Sequence, residues 1–359
     1  MATLQVDDIA DMIVATKPQF DESKWTDLTS NLQEYHILPR VLKKNANSNT
    51  FSSGRTANFQ VQIGTSGAAK MTGLYGTVQA NRNDSLKQGT VPFRHAITNW
   101  SIDRREITMN QEPSRIVDEM GALRHDAIVD MAKLLEIQGW NAPASSSDED
   151  NLWGIFYYIV PSLTAAVGPN GFNGGRPTGF TDCAGIDPNV FTQWRNWTDL
   201  YTDVSKTDLI DKIRAALHYC EFKPPVPSPG QSPETMSNFQ MYTTYPVLRA
   251  MEILAEAQNE NLGDDLASKD GMVTIRRTPI DSVTYLDSNP VTSGGILVNQ
   301  PVVGINWNWI SAFFLEGEYM REERPYNPPY QPTVYHKDIF LTCNLKCRNR
   351  RANFIINHV

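Results

Sequence analysis

From Phe59 the chain alternates, with Phe59, Val61 and Ile63 apolar against Gln60 and Gln62. That is the period of a strand with one covered face. A polar stretch, "GTSGAAKMTGLYGTVQANRNDSLKQGT", separates it from a second strand-like run, "VPFRHAITNWSI". The pattern predicts a long β-hairpin between Phe51 and Trp100, turning near Asn81-Arg82-Asn83-Asp84. A two-stranded ribbon is marginal in water, so this one is expected to lie on another subunit. Ahead of it, Val6, Ile9, Met12 and Ile13 mark one short helical face in an otherwise polar arm. After it the period changes. Ile116, Met120, Leu123, Ala127, Met131 and Leu134 recur every three or four positions, with charged residues on the other faces. A helix from Ser114 to Gln138, roughly 38 Å long, is predicted, with Met120, Leu123, Ala127 and Met131 as its buried stripe.

Beyond Gly139 the punctuation is denser. "LWGIFYYIV" reads as a buried strand, and the Gly/Pro-rich segment from Gly168 to Gly179 as a mobile loop. Thr207 suits the cap of a helix carrying Leu209, Ile213, Leu217 and Cys220 on one face. "KPPVPSPGQSP" is a connection, and "FQMYTT" before "YPVLRAMEILAEAQN" is a strand-to-helix step. "GMVTIRR", "SVTYL" and "GGILVNQPVVGI" read as short strands, and "WISAFFLEGEYMRE" and "DIFLTCNLKCRNR" as closing ones. The class is α+β.

Composition narrows the function. The chain has 359 residues, 40% of them hydrophobic, and a formal net charge of -8. An acidic balance argues against a protein that coats nucleic acid with its whole surface, while leaving room for a local basic patch. Asp7, Asp8 and Asp11 break any export signal, no apolar run reaches membrane-spanning length, and four scattered cysteines make no disulfide framework. A soluble protein in a reducing, intracellular setting is expected, with no membrane partner.

Chemical motifs are sparse. The glycine-rich segment lacks the Gly-Lys-Ser/Thr ending of a phosphate cradle, and neither His218 with Cys220 nor Cys343 with Cys347 has zinc-ligand spacing. No nucleophile signature accompanies the six histidines. The reading is therefore no enzyme, no catalytic residue, no metal and no cofactor. Trp307 and Trp309 stand on one predicted strand face, where a core or subunit-interface role outweighs base stacking because no Lys or Arg alternates with them. At the C-terminal end, Lys346, Arg348 and Arg350 share the face opposite Ile339, Leu341, Cys343, Leu345 and Cys347. That basic face is expected to pair with acidic residues of a neighbouring subunit rather than with DNA.

The order of these elements resembles the major capsid proteins of tailed bacteriophages, the Hong Kong-97-type fold. "AIVDMAKLLEIQGWNAP" followed by "LWGIFYYI" is similar to that family's spine-helix end, glycine, loop and Gly-Ile strand, and "LTCNLKCRNRRANFIIN" to its closing strands. The resemblance implies an N-terminal arm over 1–50, an extended loop over 51–100 and a peripheral domain over 101–206 containing the spine helix 114–138. An axial domain over 207–305 and peripheral return strands over 306–359 complete it. It also implies self-assembly as hexamers and pentamers into an icosahedral shell that encloses double-stranded DNA without sequence specificity. Portal, scaffolding and decoration proteins are the implied partners, and the virion, assembled in the host cytoplasm, is the implied location. No long scaffolding segment is expected ahead of the arm, and no motif ties Lys70 or Lys87 in the extended loop to a cross-linking Asn. An encapsulin-type nanocompartment shares the fold; an intracellular α/β hydrolase or binding protein is the rival of another class.

Overall fold

The computed structural model describes residues 35–39, 49–64, 69–75, 77, 85–109, 113–221, 238–259 and 273–359. The apolar positions of the expected arm and the expected hairpin turn lie outside these residues. In chain order the elements are β1 (Asn49–Phe51), β2 (Thr56–Gln62), β3 (Leu86–Pro92), β4 (Arg94–Asp103), α1 (Arg104–Met109), α2 (Pro113–Trp140) and α3 (Ile155–Tyr158). There follow β5 (Trp197–Tyr201), α4 (Leu209–Cys220), β6 (Phe239–Thr243), α5 (Tyr245–Asn259), β7 (Thr274–Ile275), β8 (Thr278–Ser282) and α6 (Thr284–Ser288). Seven strands close the chain: β9 (Val291–Ser293), β10 (Ile296–Val298), β11 (Val302–Asn306), β12 (Ile310–Leu315), β13 (Arg321–Glu322), β14 (Val334–Cys347) and β15 (Phe354–His358).

The chain divides into two compact units. The first takes residues 1–53, 93–137 and 313–343. Its sheet runs β1-β12-β14-β13, with β4 also paired to β14. The antiparallel β4/β14 ladder extends from Val334 opposite Asp103 to Cys343 opposite Arg94. Against it lies a core of Trp100, Ile102, Ile107, Met120, Ala127, Tyr335 and Ile339. Here α2 uses the stripe its 3.6-residue period dictates. Met120, Ala127 and Met131 are buried and Leu123 is half-buried against the same core. Leu134 is 40% exposed, and Leu135 takes the buried place expected of it. An ideal helix drifts past a strict heptad, which moves the stripe by one position over this length.

The second unit takes residues 54–92, 138–312 and 344–359. Its six-stranded mixed sheet has the order β5-β15-β11-β6-β8-β7, and α4 and α5 place Leu209, Ile213, Leu217, Val247 and Met251 in one core with Met241, Val302, Phe354 and Ile356. The C-terminal strand β15 pairs in parallel with β5 and antiparallel with β11. Residues 138–206 likewise group with the α/β module that follows them. Two segments read as strands are helical: "LWGIFYYIV" contains α3, whose four residues are all buried, and "SVTYL" contains α6. A short apolar run cannot distinguish a buried strand from a buried helical turn by period alone. The Gly168–Gly179 segment, read as a mobile loop, is tied at Gly174, whose N–H donates to the Asn196 carbonyl at 3.1 Å.

Strand β2 does pair in a hairpin, but its partner is β3, with Thr56 opposite Pro92 and Gln62 opposite Leu86, while most of the run "VPFRHAITNWSI" expected as the second strand lies in β4, which pairs with β14. The base of the hairpin does not wait for another subunit. Ala57, Phe59 and Val91 are buried, the Phe59 ring lies 6.4 Å from that of Trp194, and the Thr90 N–H donates to the Ala184 carbonyl at 2.9 Å. Gly89 stands opposite Phe59. A Cβ there would collide with the ring, so the glycine is what lets the aromatic lie flat across the ladder.

Candidate assembly surfaces

The basic C-terminal residues do not form one face. Lys346 is buried near the end of β14, and burial, with a smaller push from the charge of Arg348, lowers its ammonium to about 8. Arg348 alone of the three is exposed. Arg350 has left the strand for a short 3-10 turn and is fully buried. Its Nε donates to the Tyr158 carbonyl at 2.6 Å and Nη1 to the Trp194 carbonyl at 3.1 Å. Nη2 reaches the Gly175 carbonyl at 3.1 Å and Asn196 Oδ1 at 3.2 Å. One guanidinium thus holds α3, the glycine-rich loop and the segment before β5 together. The expectation that Arg350 contacts another subunit is corrected: a wholly buried side chain reaches none. Asn344, on the same supposed face, donates to the Pro92 carbonyl at 2.8 Å and accepts from the Trp153 N–H at 3.0 Å. Both faces of this part of β14 are therefore interior.

Trp307 and Trp309 are placed in the turn between β11 and β12, not on a strand face. Trp307 Nε1 donates to the Tyr242 hydroxyl at 3.2 Å and its ring meets that of Tyr242 edge-on. Both tryptophans are half-buried.

Two carboxylates, missed from sequence, organise the first unit. Glu136 of α2 is buried and accepts from three successive backbone N–H groups, those of His36, Ile37 and Leu38, at 2.9 to 3.1 Å. Glu322 of β13 accepts from Arg124 Nη2 at 2.7 Å and from Lys337 Nζ at 2.6 Å. Burial by itself would raise its carboxyl, but the hydrogen bonds from Arg124 and Lys337 outweigh that and bring it to about 2. A Glu-Glu pair in "REER" gives no sequence signal for this, because the partners lie far along the chain.

The surface is apolar in particular places. Met71, Leu74 and Tyr75, in the segment between β2 and β3, are wholly exposed, and Tyr330 is exposed to the same degree. Large side chains set out in water at that extent are candidate contacts. Among the described residues no group of three or more His, Cys, Asp or Glu is arranged to hold a metal ion. All four cysteines are free and buried; burial pushes Cys183 up to about 11 and Cys343 and Cys347 up to about 12, which keeps them as unreactive thiols. No described helix is long and apolar enough to cross a membrane.

No protein-family model and no curated protein matches the chain. Solved structures do. A chain of the cyanophage A-1(L) capsid asymmetric unit superposes with a TM-score of 0.63 at 12% identity, covering 96% of this chain and 98% of that one. The capsid of an empty GTA particle gives a TM-score of 0.52 at 9% identity, covering 92% and 99%. The fold is therefore that of phage-type capsid subunits, as the sequence resemblance implied.

Proposed function

We propose that this protein is the major capsid protein of a tailed phage, assembling as hexamers and pentamers into an icosahedral shell around double-stranded DNA. The observation that carries the reading is the match, over 96% of this chain and 98% of the other, to a chain of a capsid asymmetric unit. A subunit built for a shell needs projecting elements that find their partners on neighbours. The wholly exposed Met71, Leu74 and Tyr75 fit that need, and the extended loop over 51–100 is then an intersubunit clasp fixed at its base within its own chain. Arg348, Trp307 and Trp309 remain candidate contacts between subunits. Portal, scaffolding and decoration proteins are the further partners of such a shell, and the virion its location. Electron microscopy of the purified protein tests the reading. Closed shells are expected, and a species that stays monomeric at all concentrations and salts defeats it. Shells purified from cells with an enzyme inside would favour the encapsulin alternative.

A further inference from the structure

In an antiparallel ladder the backbone groups of successive residues turn alternately toward the partner strand and away from it. The Arg104 N–H donates to the Thr333 carbonyl at 2.8 Å in the register of β4 with β14. The even-numbered residues of β4 therefore bond β14, and His95, Ile97, Asn99 and Ser101 turn their N–H and C=O groups outward. The far edge of β14 keeps the complementary parity, since the Glu323 N–H donates to the Asp338 carbonyl and the His336 N–H to the Tyr326 carbonyl. In the hairpin the Ile63 N–H donates to the Ser85 carbonyl at 2.8 Å, continuing the register of β2 with β3. Thr56, Asn58, Gln60 and Gln62 are thus the outward residues of β2. None of these outward groups has a hydrogen-bond partner among the described residues. The other described edges are short or covered. Strands β1, β7, β9, β10 and β13 have three residues or fewer, while the Thr90 N–H of β3 is taken by the Ala184 carbonyl and the Thr198 N–H of β5 by that of Gly171. Sheet edges are commonly guarded by Lys, Pro, bulges or charge. Neither Thr56–Gln62 nor residues 95–102 contain Lys, Arg, Asp, Glu, Pro or Gly.

We propose that these two edges meet between copies of the chain, the outer edge of β2 in one subunit adding as a strand to the outer edge of β4 in the next. The inference rests on the reading of this protein as a shell subunit and names the backbone contact that joins neighbours. A row of N–H and C=O groups repeating every second residue, roughly 6.8 Å, is satisfied as a whole only by another extended backbone. The choice of β2 as the occupant of the β4 edge follows from symmetry. Pairing of like edges, β4 with β4, is isologous and ends at a dimer, whereas pairing of unlike edges runs head to tail and closes rings, which hexamers and pentamers require. The side chains permit it. Thr56, Asn58, Gln60 and Gln62 on one edge and His95, Ile97, Asn99 and Ser101 on the other are all exposed, so no packed side chain has to leave a core for the strands to meet, and no carboxylate or ammonium opposes another across them.

The test blocks each edge without touching the ladder behind it, in the full-length chain. Asn99→Lys sets a charge on the β4 edge, Ile97→Pro removes one of its outward donors, and Gln60→Lys is the matching change on β2. Each should leave the unfolding temperature of the unassembled subunit within about 3 °C of wild type. Each should also raise the protein concentration needed for particles, followed by light scattering and electron microscopy, at least about tenfold. Should the proline lower the unfolding temperature further, the two lysine variants carry the test. Gln60→Glu added to Asn99→Lys should return assembly toward the wild-type concentration, because opposite charges then lie across the new strand pair, directly or on the diagonal, whereas Gln60→Lys added to Asn99→Lys should not. Wild-type protein that forms neither rings nor particles at any concentration defeats the shell reading and this pairing with it. Wild-type particles alongside edge variants that assemble equally well would leave the shell reading standing and overturn the pairing. Assembly lost in Asn99→Lys and not recovered with Gln60→Glu would overturn β2 as the strand that β4 receives.

Discussion

A guanidinium buried without a carboxylate is costly unless its nitrogens find oxygens, and each of the three Arg350 nitrogens does, through three carbonyls and one amide oxygen. Arg350→Met would strip the partners from the Tyr158, Trp194 and Gly175 carbonyls while leaving the volume filled. A loss of about 3 to 5 kcal/mol is expected in chemical unfolding of the unassembled subunit. At Lys346 burial works on the charge itself. Its pKa is depressed in the folded state, so below about pH 8 both states carry the proton and folding bears the full cost of burying it. As pH rises through 8 toward the unfolded value near 10.4, the folded protein gives up the proton first and the cost disappears. Lys346→Met should therefore raise stability at pH 7 by about 1 to 3 kcal/mol, and the advantage should shrink between pH 8 and about 10.4 in a series of urea titrations. An advantage constant with pH would show that charge burial is not its source. Neither role was legible in the sequence. Three cations within five positions, Lys346, Arg348 and Arg350, look like surface, and only the apolar run Phe354, Ile355, Ile356 just beyond them hints that the chain is entering a core there.

Elements were more legible where a long periodic pattern left little choice. The helix predicted from Ser114 to Gln138 spans Pro113–Trp140, and the alternation of Phe59 and Val61 does belong to a hairpin ladder. Where runs were short and wholly apolar, as around Ile155–Tyr158, burial on all sides erased the period and the helix was missed. Partnership between elements was invisible. The Glu322 carboxylate joins α2 to β13 and β14 through Arg124 and Lys337, 198 and 15 residues distant. Its depressed pKa fixes the sign: the stabilisation is complete above the unfolded value near 4.3 and is lost as pH falls from there toward 2. Glu322→Gln should cost about 2 to 4 kcal/mol at pH 7 and progressively less below pH 4. Denaturant titrations of variant and wild type at both pH values check this, and equal losses at pH 7 and pH 3 would dissociate the carboxylate from the effect.

For the whole molecule the hairpin separates what belongs to the subunit from what belongs to its neighbours. Ala57, Phe59 and Val91 are buried within their own unit, so the base of the ribbon is part of the subunit's own core, and cutting the loop out to Gly89 would damage the fold as well as any assembly. Met71, Leu74 and Tyr75 contribute nothing to that core, being wholly exposed. Their replacement together by Ser should therefore change the unfolding free energy of the isolated subunit by no more than about 0.5 kcal/mol per position, the usual range for surface substitutions. In a shell the same three side chains would be anchors, and aromatic and long apolar anchors of this kind commonly cost 2 kcal/mol or more each when truncated. Multiplied over every copy in a closed particle, even a small loss per contact shifts assembly to far higher protein concentration. The expected outcome for Met71→Ser, Leu74→Ser and Tyr75→Ser combined is a soluble, normally folded subunit that sediments as small oligomers where the wild type forms particles. Particles of normal size and thermal stability from that variant would show that these residues grip no neighbour, and would move the search for the clasp to other exposed positions such as Tyr330.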